Sequence, residues 1–214
     1  MTVKDNLNRI LKDVEKYNPR IIAVTKYYGE DRMIEGFNAG IRDFAESRAK
    51  ESIEKINRLD DTTKHQSIYH FIGHLQTNKV KQVVGFFDYI HSVDSIRLAE
   101  QINLVAKEKG IKQKILIQVN NAQEVQKNGI APCNLENLIN EVLNLNSVEL
   151  VGLMNIAPLT DNKAELQRLF KEMHELKEQY NLKELSMGMS HDYKIAVENG
   201  ATMIRLGRIL FENN

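Results

Sequence analysis

Three features of this sequence combine a reactive or anion-binding side chain with a setting that could make it work. Lys26 follows the apolar run Ile-Ile-Ala-Val-Thr at 21–25. At the mouth of an apolar barrel its ammonium form would be desolvated, favouring the neutral amine that attacks an aldehyde and forms an imine. A lysine that simply snorkels to solvent is the plain alternative. In SMGMSHDYKIAVENGA, Gly188 gives the loop its freedom, and Ser190 is expected at the N-cap of a helix. There the free backbone N–H groups, the helix dipole and the hydroxyl would suit an anion. Arg205 interrupts Met203-Ile204-Arg205-Leu206, so its guanidinium is expected to point into a barrel mouth. A buried guanidinium needs a partner, either a structural carboxylate or a ligand's ring nitrogen or phosphate. Gly207, in RLGR, lets the backbone approach a ligand closely.

The histidines invite a metal reading that their spacing defeats. His70 and His74 flank an expected strand, where a four-residue step spans about 13 Å and cannot make a zinc pair. His74, in IGHLQTNK, reads as a polar lining residue at the end of the third strand. Ser190, His191 and Asp192 are adjacent and cannot face one another as a catalytic triad. Cys133, the one cysteine, permits no internal disulfide and reads as an inert loop thiol.

Alternating elements must position these groups. Strand signals fall at 21–25, 41–44, 68–72, 87–90, 115–119, 148–154, 184–187 and 202–206, with helical patterns between them. Glycines at 40, 85, 110 and 200 fit helix C′ positions. The clearest helix covers 162–180, with Asn162 and Glu165 as a capping box; another covers 94–109. The chain opens on an amphipathic helix with Thr2 as its N-cap. Eight strands alternating with helices in 214 residues predict a single (β/α)8 TIM-type barrel over 1–214, preceded by that helix. An open doubly wound sheet would carry a phosphate loop after its first strand, but TKYYGED has no such glycine pattern. In a barrel, function collects at the strand C-termini, here Lys26, Glu46, Gly73–His74, His91, Asn120, Met154–Asn155, Ser190 and Arg205–Gly207. These ends are polar, and the strand bodies are expected to be apolar.

Lys+Arg and Asp+Glu are both 29, which argues against a nucleic-acid or anionic-membrane partner. No apolar stretch approaches the roughly 20 residues of a membrane span, and the N-terminal segment lacks a signal-peptide core. A cytoplasmic location is expected.

The motifs AVTK (23–26), FIGHLQTNK (71–79), HSVDS (91–95), IQVN (117–120), GLMNIAP (152–158), LSMGMSHD (185–192) and ATMIRLGRILF (201–211) resemble the pyridoxal phosphate homeostasis protein family. That family is similar to the N-terminal barrel of bacterial alanine racemase. The resemblance implies pyridoxal phosphate bound covalently to Lys26 as a Schiff base. It implies phosphate contacts from Ser190, Gly207 and Arg208, Arg205 near the pyridine nitrogen, and Met154 by the ring. An arginine there disfavours a protonated ring nitrogen and weakens the ring as an electron sink. Where the family usually reads Gly-Glu-Asn, this chain has Ala45-Glu46-Ser47, so Ser47 takes the asparagine's place near the ring; Tyr69 and Glu212 are further departures.

The expected function is therefore intracellular vitamin B6 homeostasis: holding pyridoxal phosphate and passing it to apo-enzymes, as a monomer or weak dimer. The alternative is an amino-acid racemase-like enzyme. Its second base would come from a C-terminal domain not expected here, and Tyr27 should point away from the mouth. A carrier rather than an enzyme is expected. A barrel in which Lys26 binds a sugar phosphate is a third reading.

Overall fold

The computed structural model describes residues 2–122, 124 and 127–212. Helix α1 (Val3–Val14) leads into β1 (Arg20–Val24), α2 (Glu30–Ala39), β2 (Asp43–Glu46), α3 (Ala49–Asn57), α4 (Asp61–Gln66) and β3 (Ile68–Phe71). After α5 (Val80–Val83) come β4 (Tyr89–Val93), α6 (Ile96–Glu108), β5 (Gln113–Val119), α7 (Leu135–Leu143) and β6 (Val148–Asn155). The chain closes with α8 (Lys163–Gln179), β7 (Glu184–Ser186), α9 (Tyr193–Glu198), β8 (Met203–Leu206) and α10 (Arg208–Phe211). The eight strands pair in chain order, all parallel, and β1 pairs with β8 to close the barrel. The expected (β/α)8 barrel with its leading helix is thus the observed fold.

Local signals account for the helix ends. Thr2 Oγ1 accepts from the Asp5 N–H while the Asp5 carboxylate accepts from the Thr2 N–H, a full capping box on α1. Asn162 caps α8 by accepting from the Glu165 N–H. Gly40 (φ 112°) ends α2 in the left-handed region, where a side chain would be strained.

Strand 4 departs from expectation. The apolar run 87–90 suggests a strand start at 87, but Phe87 precedes the strand and packs on Phe71 at 5.3 Å between ring centroids. The strand runs Tyr89–Val93, so His91 lies inside the barrel wall and not at its mouth.

The strand bodies are not uniformly apolar. One cluster, between strands and helices, includes Ala23, Phe44, Phe71, Ile90 and Ile117. A separate inner cluster contains Ile22, Ala45, Tyr89, Leu116, Val151, Met154 and Met203. The ladder puts polar residues in register with this inner set: Ile22 with Asp43 and Arg205, Ala45 with His70, Met154 with Ser186. Because side chains alternate along a strand, Asp43, His70, Ser186 and Arg205 share the lumen with the apolar residues.

Candidate functional site

The site is built on the seam where β1 meets β8. After β1 the chain turns sharply, the Tyr28 N–H donating to the Thr25 carbonyl at 2.9 Å, which puts Lys26 at the first corner. Lys26 is exposed, its Nζ lying 4.9 Å from the centroid of the Tyr27 ring, which is also exposed. The desolvation expected of Lys26 is therefore absent, because its strand ends before the turn lifts it clear of the rim. Tyr28 packs on Phe211 at 4.8 Å, and its hydroxyl donates to Glu212 Oε1 at 3.1 Å, tying this loop to α10.

Beneath the turn lies a second, buried lysine that the motifs do not reveal. Lys55 Nζ donates to the carbonyls of Thr25 (2.8 Å) and Tyr28 (2.9 Å) and pairs with Glu46 Oε1 at 2.5 Å. Glu46 also accepts from Thr25 Oγ1 (2.5 Å) and Ser52 Oγ (3.2 Å). The network clamps both ends of the Lys26 turn. A cleft of about 230 Å³ opens above it, lined in part by Lys26, Tyr28, Glu46, Arg48, Lys55 and Arg58. The missed signal is helical spacing: Ser52, Lys55 and Ile56 form the buried face of α3, an odd place for a lysine.

The two loops expected to hold phosphate adjoin this seam. Ser190 is half-buried in a turn, and the N-cap of α9 is Asp192, which corrects the expectation that Ser190 caps that helix. The Asp192 side chain makes no cap bond to the helix; its Oδ1 turns back to accept from the Met189 N–H at 2.5 Å, closing the turn that presents Ser190. Burial holds the Asp192 carboxyl above the ordinary range. Gly207 follows β8; a side chain there would meet the Val24 carbonyl at an ordinary 3.5 Å, so protein packing does not demand glycine at this position. Arg208 is exposed, with Nη2 3.1 Å from His191 Nε2, which joins the two loops.

Arg205 lies lower, on the inner wall, 4% exposed. Its Nη1 donates to Ser186 Oγ and its Nη2 to the Asn155 carbonyl, both at 2.7 Å. Among the described residues no carboxylate lies within ion-pair distance of it. Burial lowers its pKa to about 10, against the opposing pull of Asp192. Met154 is fully buried in the same lumen. Ser186 also meets His91 Nδ1 at 3.0 Å; His91 Nε2 meets His70 Nδ1 at 2.9 Å; His70 Nε2 meets Asp43 Oδ1 at 2.9 Å.

The structure thus gathers Lys26, Ser190, Gly207 and Arg208 on the loops after β1, β7 and β8, with Arg205 and Met154 in the lumen. Ser47 and His74 belong to the loops after β2 and β3. Ser47 is half-buried, and its carbonyl would lie 2.1 Å from a Cβ at Gly73, which explains that glycine. His74 is exposed, with Nδ1 3.9 Å from Asp94 Oδ2. Among the described residues no three metal-ligating side chains cluster, and no helix is long and apolar enough to cross a membrane.

Residues 2–214 match the family described as alanine racemase, N-terminal domain. The chain is 36% identical over 226 residues to the pyridoxal phosphate homeostasis protein of Aquifex aeolicus, covering 99% of this chain and 98% of that one. It is 40% identical over 199 residues to the protein of the same name from Synechocystis, covering 90% of each. PipY of Synechococcus elongatus, solved with PLP bound, superimposes with a TM-score of 0.88 at 36% identity, covering 98% of this chain and 99% of that one.

Proposed function

The chain belongs to the pyridoxal phosphate homeostasis protein family, and we propose that it holds pyridoxal phosphate as a Schiff base on Lys26 and passes it to apo-enzymes. The observation that carries this reading is Arg205. A buried guanidinium bound only to neutral acceptors retains uncompensated charge and unused N–H donors, which suits an acceptor such as a pyridine nitrogen. Gly207, whose own surroundings leave room for a side chain, supports close approach of an anion.

When bound, the cofactor supplies an aldehyde for the lysine amine and a dianionic phosphate. Ser190 offers its hydroxyl and Arg208 its guanidinium to that phosphate, with Gly207 leaving the backbone open between them. Arg205 directs positive charge at the ring nitrogen and so opposes its protonation. Met154 would pack against the ring, and Ser47 and His74 would line the rim. The Thr25–Tyr28 turn, held by Lys55, fixes where Lys26 can reach, while the exposed side chain remains free to swing. An exposed, tethered lysine suits reversible loading.

The test is borohydride reduction of the protein after incubation with pyridoxal phosphate, followed by peptide mass spectrometry. A pyridoxyl adduct on Lys26, lost in Lys26→Ala, is the expected result. No adduct, or one spread over surface lysines, would overturn the assignment. Transfer is read by recovery of activity in a pyridoxal-phosphate-dependent apo-enzyme mixed with the loaded protein. No recovery beyond that given by the free cofactor released over the same time would refute the carrier role.

A further inference from the structure

We propose that Asp43, His70, His91 and Ser186 form a one-way hydrogen-bonded relay across the barrel lumen that positions Arg205 and keeps the ring nitrogen of a bound cofactor unprotonated. The second half of this statement rests on the cofactor reading above; the first does not.

The direction of the relay follows from one end. The Asp43 carboxylate can only accept, so His70 carries a proton on Nε2. His70 is fully buried and stacked on Tyr89 at 4.7 Å and 9°, and burial holds it neutral despite the pull of Asp43. Its Nδ1 is then a bare lone pair, so His91 Nε2 must donate to it. His91 is likewise buried, with Arg205, Arg20 and His70 all disfavouring a second positive charge. Its Nδ1 therefore accepts, and the Ser186 hydroxyl must donate its hydrogen there. Only lone pairs of Ser186 remain, and they face Arg205 Nη1 at 2.7 Å.

Each link has a single consistent polarity, so three neutral side chains join the cation on β8 to the anion on β2. The arrangement answers what partners Arg205. The compensating carboxylate exists, but at the far end of a polarised chain, where it steadies the guanidinium without quenching it. A direct carboxylate would form a neutral pair and remove the charge that opposes ring protonation. Asp43 is also 3.8 Å from Arg20 and only partly exposed, so the negative end is itself anchored.

Two measurements test this. In the cofactor-free protein, long-range proton–nitrogen NMR at pH 7 should find His70 and His91 both neutral and both protonated on Nε2. A proton on His91 Nδ1, or an imidazolium at either position, would overturn the relay. Asp43→Asn removes the group that dictates direction and should give mixed tautomers at both histidines; unchanged spectra would equally overturn it. In the loaded protein, the nitrogen resonance of ring-labelled pyridoxal phosphate should lie at the unprotonated position. It should move towards the protonated position in His91→Leu and return in His91→Gln, whose amide can donate to His70 and accept from Ser186 as the imidazole does. A ring resonance that ignores both substitutions would refute the positioning role. Failure of the wild-type protein to form the Lys26 adduct would instead refute the cofactor reading, with the tautomer spectra still deciding the relay.

Discussion

Two cation–anion arrangements lie beneath the barrel mouth, and they are built in opposite ways. Lys55 and Glu46 touch directly, and their remaining capacity goes to backbone carbonyls and two hydroxyls. Arg205 and Asp43 are held apart by Ser186, His91 and His70. The first is closed: its charges cancel in place, and its effect is to fix a turn. The second is open: its cation keeps charge and donors for something not part of the chain. Contact fixes a turn, and separation leaves the guanidinium without a contacting anion.

Glu46→Ala should break the closed pair most visibly. It leaves Lys55 buried without its anion and unclamps the Lys26 turn, at a cost of about 3–5 kcal/mol by denaturant unfolding. A loss under about 1 kcal/mol would mean that the pair is not a structural clamp. Acid should act on the open pair. His70, facing Asp43, Asp88 and Arg20, and His91, facing Arg205 and Arg20, are both held below the ordinary histidine value of 6.5. The unfolded chain therefore takes up protons first as pH falls. Stability from these residues is complete above about pH 6.5 and declines below it by up to about 1.4 kcal/mol per pH unit for each histidine. Unfolding curves that do not steepen in this way below pH 6.5 would contradict neutral, buried imidazoles.

Arg205→Met sharpens the contrast. Replacing a buried cation that has no contacting anion should leave stability within about 1–2 kcal/mol of wild type, while loosening pyridoxal phosphate in equilibrium titration. A loss matching that of Glu46→Ala would erase the distinction between the two pairs. Ser190→Ala removes one hydroxyl donor to an anion, and should weaken cofactor binding by about tenfold with the unfolding curve unmoved. Smallest is Tyr27→Ala: the ring is 80% exposed, and the change should stay within about 0.5 kcal/mol.

The fold was legible because its signals are local. Capping residues at Thr2 and Asn162, glycines after helices and short apolar runs each act within a few residues, and together they mark all eight strands. Strand 4 slipped because Phe86 and Phe87 are as apolar as a strand but are spent on a turn that packs against Phe71. At the helix α9 start, Ser190 and Asp192 are both cap-type residues two positions apart, and the helix begins after Asp192 with that carboxylate turned back to the Met189 N–H. The relay was out of reach for another reason: β7 and β4 face each other only across a closed lumen, and no spacing in the chain encodes that meeting. Alternation within each strand does mark His70, His91, Ser186 and Arg205 as inward-facing once the barrel is granted. The exposure of Lys26 depends on where its turn lifts away from the rim, which the run at 21–25 does not specify.

The seam between β1 and β8 also sets when the protein becomes competent. Lys26 leaves the first strand and Arg205, Gly207 and Arg208 lie on or after the last, with Tyr28 on Phe211 and the Asn6 amide on the Leu210 carbonyl across the join. During synthesis the lysine emerges some 180 residues ahead of its partners, counted from position 26 to position 205. Non-local pairing of this kind closes late in folding. A nascent or nicked chain with seven strands in place still lacks this seam, so on the carrier reading cofactor capture is expected only of the closed barrel.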